Sequence, residues 1–548
     1  MTSKVFRNKE LNIWTFLSLI AVLLIVIPSI NIFINLVSAP NENWYHIKEF
    51  LLKKYFMNTL IIVLGTGFLT TFIGISLAWI MTIYDFPFKK FMKWGLMLPL
   101  AIPAYIGAYT YHGMLNYTGV IQSTLRNIFG IQVSQKYFSM MNIRGVIIVF
   151  TLFLFPYVYT ITRSFLAKST SSLIENARVL GSNPITIFFR VVLPISRGAI
   201  IGGVSLVTLE VLNDYGVVKY YGVPTFSTAI FKTWFSMGDV ESAIRLSAIL
   251  MMLVMSVLVG ERFIRGRRKY SMTSTKQRPI KPIMLTGYKK YLTSFYVVGV
   301  FLVSFLLPTL QLIHWTILSY ERLWDIRFLK LIGSSISIAV VSTLIIMVTA
   351  IVVANNHRIY DTLLSKFFSK IIVIGYSIPG AVIAIGVIVM FIGIDRSLKT
   401  LYLSTFGISK TLVLSTSIVM LIFAYVIRFM AIGFNSIDAG FDKVGKKYFE
   451  ASTLLGKSKL KTFLNVDLPM IKPAVISAFI LVFIDTLKEL PLTLILRPFN
   501  FNTLATKAFE YANDEMIHEA SISSLFIIII SIFFIFLMNK LTSIKEGH

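Results

Sequence analysis

The sequence predicts an all-α polytopic membrane protein with about twelve spans, arranged as two parallel six-helix repeats. Three features carry that expectation. Hydrophobic residues fill 56% of the 548 positions and charged residues only 14%, where a soluble domain would carry roughly 25% charge. Apolar runs near the length of about 20 residues that a span requires recur near 13–37, 59–83, 94–115, 145–162, 198–218, 243–264, 291–318, 333–354, 371–394, 412–434, 473–496 and 520–539. A polar motif also returns after 275 positions, about half the chain.

The first run follows a basic start, "MTSKVFRNK", like the head of a signal peptide. Its apolar stretch, Ile13 to Val37, is far longer than the roughly 7–15 residues of a cleavable segment, so it is expected to remain as the first span. An even number of spans places both termini on one side. With Arg245 and Arg262, near the ends of one span, counted with the adjoining loops, the termini and even-numbered loops hold 33 Lys and Arg against 17 on the opposite side, and Arg428 and Lys488 lie inside spans. Basic loops stay in the cytoplasm, so both termini are expected there. The net charge of +27 is thereby a topology signal, and no nucleic-acid partner is expected. The chain has no cysteine, which excludes disulfides, thiolate metal sites and cysteine nucleophiles.

The basic segment 265–290, "RGRRKYSMTSTKQRPIKPIMLTGYKK", lies at the chain midpoint and reads as a cytoplasmic linker. It divides a first repeat, 1–264, from a second, 291–548. Glu175 and Glu450, Gly181 and Gly456, and Pro194 and Pro469 each differ by 275 positions. "TFSTAIFK" from Thr225 and "NFNTLATK" from Asn500 continue that register, while Pro103 and Pro379 differ by 276. An even number of spans in each unit gives the copies one orientation, related by a pseudo-twofold axis along the membrane normal.

The motif itself, near 170–194 and 445–469, is polar and helix-forming on both sides of its glycine. Glycine suits a left-handed turn, and Pro194 and Pro469 are expected to end the second helix before the next span. Each loop is thus a short helix–turn–helix, with Ile187, Phe188 and Phe189 available for docking.

These residues, "ENA" to Gly181 to "VVLP" and "EAS" to Gly456 to "VDLP", resemble the membrane subunits of binding-protein-dependent ABC importers. Their EAA loop runs Glu-Ala-Ala, three residues, Gly, nine residues, Ile-x-Leu-Pro. This chain departs at one alanine in each copy and has Val for Ile. The resemblance implies a type I ABC importer permease fold in the bacterial cytoplasmic (inner) membrane, fused into one chain. It implies coupling helices that sit in two ABC ATPase subunits, with Glu175, Ala177, Gly181 and Pro194, and Glu450, Ala451, Gly456 and Pro469, as the coupling residues. Glu175 and Glu450 would brace the loops. An extracytoplasmic substrate-binding protein would deliver the substrate, and ATP and Mg would lie on the ATPases, with no cofactor on this chain. "GKS" at 456–458 lacks the earlier glycine of a P-loop, so no nucleotide site is expected here. "LPLAIPAYIGAYTY" and "LNDYGVVKYYGVPTFSTAIFKTWF" further resemble fused permeases of ferric-iron importers. Thiamine and phosphonate importers share the architecture, and an ion-coupled secondary transporter shares parallel repeats.

Ionisable residues inside spans mark functional candidates. Glu210 and Asp214 stand one helical turn apart, and Asp485 and Glu489 repeat them 275 positions on, with Lys488 alongside. They are candidates for a translocation pathway that attracts a hard cation; internal pairing and solvated helix ends are the competing readings. Tyr105, Tyr109 and Tyr111 have no counterparts in the second repeat and read as aromatic packing. Gly198 and Gly202 form a GxxxG pattern, echoed by Ala474 and Ala478, suited to close helix contact. No histidine spacing indicates a metal site.

Overall fold

The structure, a computed structural model, describes residues 12–36, 39–132, 134–169, 171–265, 282–360, 362–375, 377–406 and 412–546. Most of the basic 265–290 segment lies outside the described residues. Among the described residues eleven helices are long and apolar enough to cross a membrane. In chain order their cores are α1 (Ile13–Leu36), α2 (Leu52–Ile83), α3 (Ile143–Ser169), α4 (Leu193–Asn213), α5 (Val240–Arg265), α6 (Leu307–Leu323), α7 (Ile326–Ile359), α8 (Gly380–Phe406), α9 (Ile418–Val444), α10 (Leu468–Leu487) and α11 (Ile517–Glu546). A bent pair, Lys89–Ala101 with Ala104–Asn127, turns by 93° and makes the twelfth crossing if taken as one span. Pro103 sits in that break with extended backbone. It is matched by Pro379 just before α8.

Both repeats are visible as packing. Helices α2, α3 and α4 pack on one another, and α7, α9 and α10 do the same. Helices α3 and α9 begin and end 275 positions apart. The first trio closes on Val158: a Cβ on Gly74 would lie 2.7 Å from its Cβ, and one on Gly203 would lie 2.8 Å from its Cα. Such backbone approaches are how helices associate where lipid offers no hydrophobic drive. The GxxxG expectation is corrected on this point. A Cβ on Gly202 would meet nothing within 4 Å and one on Gly198 only Arg265 at 4.0 Å, so Gly203 is the contact residue. Ala474 does pack closely, its Cβ lying 2.5 Å from where a Gly440 Cβ would stand.

The 275-residue register does not run through the last helices. Thr225 and Thr503 each form a capping box with the residue three positions on, Thr228 and Thr506. Phe226 donates its N–H to Thr59, and Leu504 donates its N–H to Ser335, the matching positions of α2 and α7. Thr225 therefore corresponds to Thr503, not Asn500. A loop two residues longer, 497–502 against 221–224, and a preceding helix one residue longer, Pro491–Leu496 against Gly216–Tyr220, absorb the shift.

The first helix of each repeat crosses to the other. Helix α1 packs on α7 and α8, and α6, which packs chiefly on α11 of its own repeat, also meets Ala104–Leu115 of the first. Thr15 donates to Asn356 at 3.1 Å, and Trp14 meets Phe463 edge-on at 5.3 Å between ring centres. A two-residue parallel bridge, Tyr84–Asp85 with Ile283–Met284, ties the halves again.

Candidate functional site

The two polar loops take the same shape. Ser171–Val179 and Lys447–Leu454 form their first helices, Pro184–Ile187 and Lys459–Thr462 their second. Between them Gly181 and Gly456 adopt φ of +81° and +82°, a left-handed geometry that disfavours any residue with a Cβ. Asn183 and Ser458 cap the second helices, accepting from the N–H of Thr186 and Lys461.

The prolines do not stop the second helices. Phe188–Val192 and Phe463–Asp467 are single π turns, and Pro194 and Pro469 fall at the start of α4 and α10. The chain then runs on as one helix from Pro184 to Asn213 and from Lys459 to Leu487. A proline ring collides with the carbonyl four residues back, and widening the preceding turn is a recognised way for a helix to absorb a local irregularity. Pro308 follows a π turn at Leu302–Leu306 in the same way.

Each loop presents apolar side chains to the outside at one register. Val179, Leu180, Leu454 and Leu455 are 87%, 83%, 88% and 83% exposed. Ile185 and Phe189, with Leu460 and Leu464, repeat the pattern 275 positions apart. Of the three docking residues read from the sequence, only Phe189 points outward. Ile187 is buried, and Phe188 packs on Trp79 with ring centres 5.5 Å apart. Glu175 and Glu450 are exposed, and neither carboxylate makes a hydrogen bond or ion pair among the described residues. Ala177 is half-buried and its register partner is Ser452, which is buried and hydrogen-bonded to Thr462 at 2.9 Å; Ala451 lies exposed.

The structure brings all five charged pathway candidates to one cavity of about 110 Å³, between the repeats, lined by Glu210, Asp214, Asp485, Lys488 and Glu489. The paired carboxylates do not share a helical face as expected. Helix α4 ends at Asn213 and Asp214 is extended, its carboxylate accepting from Val217 N–H at 2.8 Å to start the short helix Gly216–Tyr220. Glu489 likewise follows the end of α10 and accepts from Leu492 N–H at 3.2 Å, starting Pro491–Leu496. A capping carboxylate offers the new helix more than another turn of the old one would. Broken helices of this kind border the binding sites of many transporters.

Two further residues belong to the cavity. Arg428, on α9, lines it and donates Nη1 to Ile378 O at 2.7 Å; an arginine in the middle of an apolar run, it was the available sequence signal. Tyr105 lines it too, buried, its hydroxyl without a hydrogen-bond partner among the described residues. The other tyrosines pack as expected: Tyr109 hydroxyl bonds Ser524, and Tyr111 donates to Val303 O. Among the described residues no three His, Asp or Glu side chains converge to hold a metal ion.

Residues 346–544 match the family model of the binding-protein-dependent transport system inner membrane component. The chain is 26% identical over 88% of its length to the Fe(3+)-transport system permease protein FbpB 2 of Haemophilus influenzae, covering 89% of that protein. It is 23% identical over 88% of its length to the ferric transport system permease protein FbpB of Actinobacillus pleuropneumoniae, covering 71% of it. The molybdenum transport system permease protein ModB of Escherichia coli matches 36% of this chain but 86% of itself, at 27% identity. Such a relative is about one repeat long.

Proposed function

We propose that this chain, a fused membrane permease of the binding-protein-dependent import type, carries ferric iron inward across the bacterial cytoplasmic membrane. The observation that carries the transport mechanism is the pair of loops with matching glycine turns and exposed apolar tips. Each tip docks on one ATPase subunit in the cytoplasm, and ATP binding there draws the two tips together. Because each second loop helix is continuous with α4 or α10, that movement reaches the cavity directly. An extracytoplasmic binding protein delivers the substrate to the opposite face, and both termini lie in the cytoplasm. Glu210, Asp214, Asp485 and Glu489 line the route. Four carboxylates against two cations favour a metal cation over the molybdenum and sulfate for which half-length relatives are named.

The test is uptake in a strain lacking the gene, comparing labelled ferric iron, thiamine and a phosphonate. Loss of iron uptake alone, restored by the wild-type gene, is the expected result. Loss of thiamine or phosphonate uptake with iron unchanged would overturn the substrate and keep the importer.

A further inference from the structure

We propose that Lys488 is a tethered counter-cation, whose ammonium holds Asp485 in the empty cavity and is displaced by the metal cation in transit. The proposal rests on the reading of this cavity as part of the iron route.

The carboxylates come from both repeats at matching positions, but both cations come from the second. Position 153, the counterpart of Arg428, is Phe, and position 213, the counterpart of Lys488, is Asn. Asn213 has a different task, accepting the buried N–H of Gly380 at 2.5 Å. The pseudo-twofold symmetry of the repeats thus stops at these cations.

The two cations are held differently. Arg428 is buried in the middle of α9, with Nη1 anchored to a backbone carbonyl. Lys488 is the C-cap residue just past Leu487 at the end of α10, and its side chain is 23% exposed. Its ammonium lies 2.7 Å from the Asp485 carboxylate, one turn back. A four-carbon stem at a helix end can swing where a packed guanidinium cannot.

The charge count gives the swing a purpose. With both cations in place the four carboxylates keep a formal surplus of two negative charges. With the ammonium withdrawn the surplus is three, the charge of a ferric ion. The unpartnered Tyr105 hydroxyl adds a neutral oxygen beside the same space. The carboxylates do not converge on a resident metal site, and a conduction site must bind weakly enough to release. An ammonium that returns to Asp485 behind the ion competes for the carboxylate and speeds that release.

The experiment uses the purified full-length chain with terbium(III) as a trivalent luminescent probe, together with labelled-iron uptake in cells carrying the partner proteins. Lys488→Gln should bind terbium about tenfold more tightly than wild type, since one like charge is removed from the site, and should take up iron more slowly. Lys488→Arg should stay near wild type in terbium affinity. Equal or weaker terbium binding by Lys488→Gln overturns the proposal. If Lys488→Gln does not fold, Asp485→Asn is compared with Asp485→Asn/Lys488→Gln. The first should bind terbium more weakly than wild type and the second should recover; no recovery overturns the proposal. Normal iron uptake by Glu210→Gln/Glu489→Gln would instead discard the cavity as the route, whichever way the lysine variants behave.

Discussion

Arg358 and Asp467 form a buried ion pair, 2.8 Å apart, where α7 ends beneath the second polar loop. Arg358 also donates Nη2 to Gly445 O at 2.7 Å and lies over the Phe441 ring at 4.8 Å. The first loop has buried Val192 where the second has Asp467. Breaking a buried pair strands a charge, whereas replacing both partners with apolar residues does not. Asp467→Ala should therefore destabilise the protein by about 3–5 kcal/mol, and Arg358→Met/Asp467→Leu should leave it near wild type. Thermal unfolding of the purified protein checks this; equal midpoints for Asp467→Ala and wild type would refute it.

Gly181 and Gly456 have open space where a Cβ would stand, so the penalty for substitution is conformational alone. Left-handed backbone costs an ordinary residue about 1–2 kcal/mol. Valine at either position should distort the turn, lowering uptake while the amount of permease in the membrane is unchanged. Quantitative membrane blots beside uptake assays decide between uncoupling and misfolding.

Leu180 and Leu455 are solvent-facing, so Leu180→Asp and Leu455→Asp should each change stability by no more than about 0.5 kcal/mol. Co-purification of the ATPase should fall by about half with either single variant, one of the two sites being lost, and vanish with both. Undiminished co-purification of the double variant would place the ATPase elsewhere.

Asn213 and Glu489 both face Gly380. A Cβ on that glycine would lie 3.4 Å from Asn213 Oδ1 and 3.2 Å from Glu489 Oε1. Asn213→Ala should cost about 1–3 kcal/mol by leaving the Gly380 N–H unpaired in a buried site. Gly380→Ala should instead cost little stability but reduce uptake, because it pushes the Glu489 carboxylate within the cavity. Unfolding midpoints and uptake measured on both variants separate the two effects.

The sequence by itself determined the class, the number of spans and the duplicated loops. Hydropathy is a local, additive property, and a glycine between two helix-forming stretches can be read without knowing its neighbours. Asp214 and Glu489 show where local reading ended: one turn's spacing suggested a shared helical face, but each carboxylate caps a new helix instead. Pro194 and Pro469 were legible as irregularities, yet whether a proline stops a helix or is absorbed by a π turn depends on what holds the turn on both sides. Arg428 and Tyr105 were visible as residues but not as cavity walls, since α9 and Ala104–Leu115 meet that space only after the two repeats pack. The contacts of α1 with α7 and α8 and the Arg358–Asp467 pair were likewise settled by tertiary structure alone. Contacts between residues hundreds of positions apart leave no periodic trace in the chain that makes them.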